Sequence, residues 1–201
     1  MKLKFHDLIK SLLFITVLTI FSSCNLGRHQ GSNSPDGSLV LTVENTNGML
    51  TYSLSKNEKI IIENSRLGIK ADKFDLSDDL EAVSWESNDH KGKWTQVWGE
   101  QREIEDNYGE MLVGVKSNKN AFKMNVRFRL FDDGLGFRYE IPKQDGIDSY
   151  NILDEITEFN FAEDSPSWWI PAYAYRRYEF LYANTLISEV SDITKKLLKS
   201  S

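Results

Sequence analysis

Residues 121–131, AFKMNVRFRLF, set Phe122, Met124, Val126, Phe128 and Leu130 in strict alternation with Lys123, Asn125, Arg127 and Arg129. A helix would wind those apolar residues around its whole circumference, whereas an extended strand sends them all to one face. The stretch therefore predicts a strand with one buried face and one charged face. Asp132, Asp133 and Gly134 follow as a turn, and LGFRYEIP returns with Leu135, Phe137 and Tyr139 on one side, so the two runs predict a hairpin. Turn preference accounts for Asp132 and Asp133 better than a calcium-binding turn does.

Other parts of the chain supply further strands. LVLTVEN and LTYSLSK read as two of them, and Asn57–Glu58 turns the second into KIIIEN. SRLGIKAD gives another, broken at Gly68, and DEITEFNF places Ile156 and Phe159 in one more. Residues 72–93 are polar and acidic and read as loop around one short strand near AVSWE; TQVWG and MLVGVKS follow. The one helix-period segment of useful length is ISEVSDITKKLLKS, with Ile193, Leu197 and Leu198 on one side. Roughly ten short strands with no strand–helix–strand rhythm predict an all-β chain, an antiparallel β-sandwich.

The first 24 residues stand apart from that core: Lys2 and Lys4, an apolar run from Leu12 to Phe21, then small residues ending in FSSC. The run is short for a membrane span and has the layout of a secretory signal. FSSC resembles a lipoprotein cleavage box whose cysteine, Cys24, becomes the lipid-bearing first residue; an uncleaved anchor or a plain signal cut nearby are the alternatives. Cys24 is the sole cysteine, so neither an internal disulfide nor a cysteine metal site can form. Residues 25–33 read as a flexible tether. Export is expected, to the periplasm or the outer membrane, with membrane contact through the lipid anchor only. The formal net charge of −6 and the absence of a basic stripe argue against a nucleic-acid partner.

Little in the sequence carries chemistry outright. His6, His29 and His90 are not spaced as metal ligands, and no phosphate loop, dinucleotide fingerprint or serine elbow is present. The stretch TQVWGEQREIEDNYGEM holds Glu100, Glu103, Glu105, Asp106 and Glu110. Two carboxylates across a pocket could hydrolyse a glycoside, but acidic density of this kind is more often a solvated face. SPSWWIPAYAYRRYEFLYANT, residues 165–185, sets Trp168, Trp169, Tyr173, Tyr175, Tyr178 and Tyr182 around Arg176, Arg177 and Glu179. Such aromatics stack on sugar rings, anchor interfaces or fill a core.

SPDGSLVLTVE, YSLSKNEKIIIENSRLGI, QVWGEQREIEDNYGEM, VRFRLFDDGLGFRYEIP and WWIPAYAYRRYEFLYANTLISEV, in that order, closely resemble successive blocks of the N-terminal domain of glycoside hydrolase family 97, the bacterial α-glucosidases and α-galactosidases. The resemblance runs from about Ser34 to Val190. It implies a galactose mutarotase-like supersandwich, here incomplete at its C-terminus, over residues 34–190, with 191–201 a divergent tail. In the family that domain packs on a catalytic (β/α)8 barrel, which supplies the catalytic carboxylates, and a small β domain follows. The resemblance implies that this chain has no catalytic residue of its own and helps to close a pocket for an α-linked glucoside or galactoside. It would do so with Trp98 as an anchor and Glu100, Trp168, Trp169 and Tyr175 as carbohydrate or interface residues. It also implies that Glu179, in RRYEF, offers one oxygen ligand to a calcium ion of the full-length enzyme, an ion this chain alone would not hold stably. A freestanding carbohydrate-binding lipoprotein and a docking subunit for a separately encoded barrel are the alternative readings.

Overall fold

The structure, a computed structural model, describes residues 28–170 and 181–199. Those residues are predominantly antiparallel β-structure in several sheets. Strands β1 (Arg28–Asn33), β2 (Leu39–Thr46), β3 (Met49–Lys56) and β4 (Lys59–Leu67) form one four-stranded sheet in sequence order. A second four-stranded sheet has β7 (Leu80–Thr95), β8 (Glu103–Ser117), β9 (Lys123–Phe131) and β10 (Gly134–Glu140), again in sequence order. Short strands β5 (Ile69–Ala71) and β6 (Asp75–Leu76) join β11 (Ile152–Glu155), and β12 (Pro166–Trp169) pairs with β13 (Ala183–Leu186). A 3₁₀ turn at Ile187–Glu189 leads into α1, Val190–Lys199.

Local chemistry explains the tight hairpins. Asn47 and Gly48 between β2 and β3, and Asn57 and Glu58 between β3 and β4, all take positive φ, from 50° to 78°. That is the two-residue turn whose twist matches antiparallel strands. Gly and Asn enter this region at small cost, while Glu58 is the strained member. The hairpin predicted around Asp132–Asp133 is present, with Phe131 opposite Gly134 and Phe128 opposite Phe137.

The alternation read from the sequence becomes burial. Met124, Val126, Phe128 and Leu130 of β9 are fully buried, and so are Leu41 and Val43 of β2. Inward side chains of both four-stranded sheets belong to one hydrophobic core. At its centre the Tyr52 ring lies 6.4 Å from Phe128, 5.6 Å from Phe137 and 6.4 Å from Phe159, while its hydroxyl donates to the Glu158 carbonyl at 2.9 Å. Asn45 links the sheets at one end: its side chain donates to the Leu80 carbonyl at 3.2 Å and accepts from the Ala82 amide at 3.0 Å.

Four local expectations change. Residues 80–95, expected to be mostly loop, are a strand of 16 residues paired with β8 along its whole length. Most of β7 beyond its first residues is exposed, so no buried face imposed an alternation to read. TQVWG is the end of that strand and its turn, where the Gln96 amide donates to the Arg102 carbonyl at 2.9 Å. Residues 156–162 lie outside the described strands, yet they track β4: Ile156 donates to Gly68, Glu158 to Arg66 and Ala162 to Ile61. They thereby satisfy backbone groups that an open sheet edge would leave to solvent. The stretch expected as a tether carries β1, which hydrogen-bonds along β2 from Arg28 to Asn33. The helix drawn over the final segment is present as α1.

Strand β1 crosses the second sheet at Gly109, where a Cβ would lie 2.1 Å from the Asn33 carbonyl oxygen. Gly109→Ala should therefore dislodge β1 without unravelling the core. Amide exchange across residues 28–33 should accelerate, with a loss of about 1–3 kcal/mol in urea unfolding. Phe128→Ala, deep in the shared core, should cost about 3–5 kcal/mol and leave no such local signature.

Candidate functional site

Strand β9 pairs with β8 only across Gly109–Lys116, whereas β7 and β8 remain paired out to Thr95 and Glu103. The hairpin therefore extends past its sheet as a two-stranded arm, and the turn at its end carries Trp98. That indole is 87% exposed, Val97 beside it is 97% exposed, and Trp94 in the arm is half-exposed. Gly99, at φ 144°, lets the turn close against Gln96, whose side chain donates to the Gln101 carbonyl at 2.9 Å. Gln96, Trp98, Gly99 and Arg102 line a shallow cavity of about 480 Å³ here. Glu100 sits on the same turn and is exposed.

Trp168 and Trp169 lie elsewhere, on the separate β12–β13 ribbon. Neighbouring strand residues face opposite ways, and the two indoles divide accordingly. Trp168 is 73% exposed, while half-buried Trp169 donates from Nε1 to Thr185 Oγ1 at 3.0 Å. Tyr182, just before β13, is largely exposed. Cys24, Tyr175 and Glu179 lie outside the described residues. Thus the structure places Trp98 with Glu100 on one turn and Trp168 with Trp169 on one ribbon; no ring contact or hydrogen bond joins the two groups among the described residues.

The acidic stretch divides in two. Glu103 and Glu105 are exposed on the arm, and Glu105 reaches Lys93 at only 3.6 Å. Glu110 is different. It is largely enclosed and accepts from Arg127 Nη1 and, at 2.9 Å, from Arg129 Nε. Arg127 donates from Nε to Glu140 at 2.7 Å, and Arg138 adds a bond to the same carboxylate at 2.8 Å. The Arg129 guanidinium lies 4.4 Å from the centre of the Tyr108 ring, which also stacks on His90. This ladder is the charged face that alternating Arg127 and Arg129 announced; the signal missed in the sequence was that two facing arginines require an acid between them, and Glu110 is that acid. The hydrogen bond from Arg127 holds the Glu140 carboxyl below the ordinary carboxylate range, assisted by Arg138. At the opposite end of β9, the Ser34 hydroxyl and the Ser38 amide lower Asp36 to about 2.

These carboxylates are bound to arginines or to backbone and are not set across an open pocket as an acid–base pair. Among the described residues no group of three or more His, Cys, Asp or Glu could hold a metal ion. Nor is any described helix long and apolar enough to cross a membrane. The described strands are joined antiparallel, without the strand–helix repeat of a (β/α)8 barrel.

Residues 33–199 match the family described as Glycosyl-hydrolase 97 N-terminal. A Glycoside Hydrolase Family 97 enzyme from Pseudoalteromonas sp. strain K8, solved in complex with panose, is 32% identical with a TM-score of 0.73, over 78% of this chain and 24% of that one. The structure from the same strain in complex with acarbose gives the same values. A β-arabinopyranosidase structure is 26% identical with a TM-score of 0.67, over 71% of this chain and 23% of that one. A probable retaining α-galactosidase of Streptomyces bingchenggensis (strain BCW-1) is 28% identical over 137 residues, which are 68% of this chain and 20% of that protein. The chain thus spans about a quarter or less of the length of these relatives.

The ladder sets an acid response. A depressed carboxyl stabilises the fold above its unfolded pKa, and that contribution is lost as pH falls through the lowered folded value. Stability should therefore drop as pH falls below 4.5 for Glu140, and from 3.8 towards about 2 for Asp36. Urea midpoints measured across that range should fall less steeply in Glu140→Gln. At neutral pH, Glu110→Gln should cost about 1–3 kcal/mol, because two arginines lose a charged acceptor.

Proposed function

Since the chain belongs to the glycoside hydrolase family 97 N-terminal domain family, we propose that it is the non-catalytic, carbohydrate-facing domain of an exported α-glycosidase, working against a (β/α)8 barrel outside this sequence. The match across residues 33–199 carries the reading. In it, the two main sheets are the halves of a galactose mutarotase-like β-sandwich. The arm turn with Trp98 and Glu100 meets the barrel, and the aromatic segment with Trp168, Trp169 and Tyr175 borders the sugar. Panose and acarbose on similar structures support an oligosaccharide as the ligand class, and an α-glucoside or α-galactoside is the proposed substrate of the assembled enzyme.

Calcium enters only as a property of that assembly. The ion takes six to eight oxygen ligands, the described residues offer no ligand cluster, and Glu179 would be a single contribution. Export and lipidation at Cys24 complete the proposal. Palmitate labelling of the chain in its host should place label on the protein, and Cys24→Ser should abolish it.

The deciding experiment mixes the purified chain with the catalytic barrel of a family member lacking its own N-terminal domain. The chain alone should not hydrolyse p-nitrophenyl α-glucoside or α-galactoside; the mixture should. Trp98→Ala should weaken that rescue about tenfold or more, as expected for an exposed tryptophan that becomes an interface anchor. Turnover by the chain alone would overturn the proposal. The exposed Trp168 and Tyr182 favour one second reading, a freestanding carbohydrate-binding protein. Failed rescue, together with a tryptophan fluorescence change on adding panose, would establish that reading instead.

A further inference from the structure

The outer face of β9 and β10 contains a hollow that the ladder only partly fills. Arg129 pairs across the strands with Gly136, and Arg127 with Arg138. Ideal Cβ atoms built on Gly134 and Gly136 would meet nothing within 4 Å. Gly136, on an outward position of β10, thus leaves a floor of bare backbone, with Gly134 equally open beyond it. Arg127, Arg129, Arg138 and Phe131 wall a cavity of about 170 Å³ above it. Pockets for drug-sized ligands run from roughly 300 Å³ upward, so the hollow is sized for a single small ring.

The charge count in the hollow is unbalanced. Among the described residues, Arg127, Arg129 and Arg138 pair only with Glu110 and Glu140. Arg127 spends all three nitrogens on those acids. Arg129 uses only Nε on Glu110, and Arg138 uses Nε and one Nη on Glu140. Among the described residues, both terminal nitrogens of Arg129 and one of Arg138 have no hydrogen-bonding partner. The Tyr108 ring beneath Arg129 supports its guanidinium without consuming a donor. The result is a cationic recess, already oriented by its ion pairs, on a chain whose formal net charge is −6.

We propose that this recess is a binding site for a carboxylate-bearing monosaccharide unit, a uronate. Its carboxylate takes the free guanidinium edges of Arg129 and Arg138, and its ring lies on the glycine floor beside Phe131. Planar guanidinium groups favour carboxylates geometrically as well as electrostatically. An aromatic wall accepts the C–H face of a pyranose ring. The described lining of the site includes neither Trp98 nor Trp168 and Trp169, and the site does not depend on the chain's role beside a barrel.

Calorimetric titration of the full chain with galacturonate, glucuronate, galactose and acetate tests it. Both uronates should bind, more weakly as sodium chloride is raised, and galactose should give no heat. Arg129→Gln and Arg138→Gln should each weaken uronate binding about tenfold or more, the range for a lost charge-assisted contact. Gly136→Val, which fills the floor, should do the same while leaving both arginines in place. Unchanged circular dichroism spectra confirm that the variants are folded; Arg138, with a largely exposed side chain, is the safest of the three. The proposal is overturned if uronates bind no better than galactose, if acetate matches them, or if a folded Arg138→Gln chain binds as the parent does.

Discussion

Mutual burial of one face from each four-stranded sheet is the constraint on which the other features depend. Neither sheet could leave its inward row in water: Leu41, Val43 and Tyr52 on one side meet Met111, Val126 and Phe128 on the other within one core. Burial of this kind fixes register as well as proximity, since a slip of one residue would turn every inward side chain outward. Tyr52 adds direction to an otherwise non-directional force. Its hydroxyl must find an acceptor when the ring is buried, and it finds the Glu158 carbonyl. That bond draws residues 156–162 onto the open edge of β4, so satisfying one core polar group also closes a sheet edge.

What was legible in the sequence follows from the same constraint. Wherever a strand has one face in the core, as β9 does, the alternation is written into it, and the β9–β10 hairpin emerges with its residue pairing intact. Where the core ends, the writing ends. Trp94, Lys93 and Lys91 of β7 are all exposed, with no inside and outside to distinguish them, and a strand of this type is indistinguishable from a polar loop. The register shift between Ala82 and Ser84 breaks the alternation even where β7 does approach the core. Residues 28–33 were hidden for a different reason: RHQGSN is polar and Gly-containing, and it is held by backbone pairing to β2, which no side-chain pattern reveals.

The candidate residues were legible to different degrees. Trp98 and Trp168 stand out in sequence as large apolar residues among polar neighbours, and both are exposed. Trp169 looked equivalent to its neighbour, but strand geometry turns it to the other face and gives it Thr185 as a partner. Glu110 could not be separated from Glu103 and Glu105 by composition. Only the pairing of β8 with β9 sets it opposite Arg129 and distinguishes a structural acid from a solvated one.

The arm presents the opposite problem from the core. A two-stranded ribbon stands weakly by itself in water, and the outer part of β7 and β8 receives no support from β9. Nothing in the packing of this domain calls for an indole at its end, and an 87% exposed tryptophan adds nothing to the stability of the fold beneath it. The same holds for Val97 beside it. Residues that folding does not require, carried on an element that the core does not cover, are what the proposed docking onto a barrel would use. The proposed partner surface would support the ribbon along its length and bury the side chains at its tip. The ion-pair ladder needs no such explanation: its acids and arginines satisfy one another, apart from the free guanidinium edges over Gly136. Arm and recess thus differ in kind, the one presenting exposed apolar side chains and the other exposed guanidinium edges held by ion pairs.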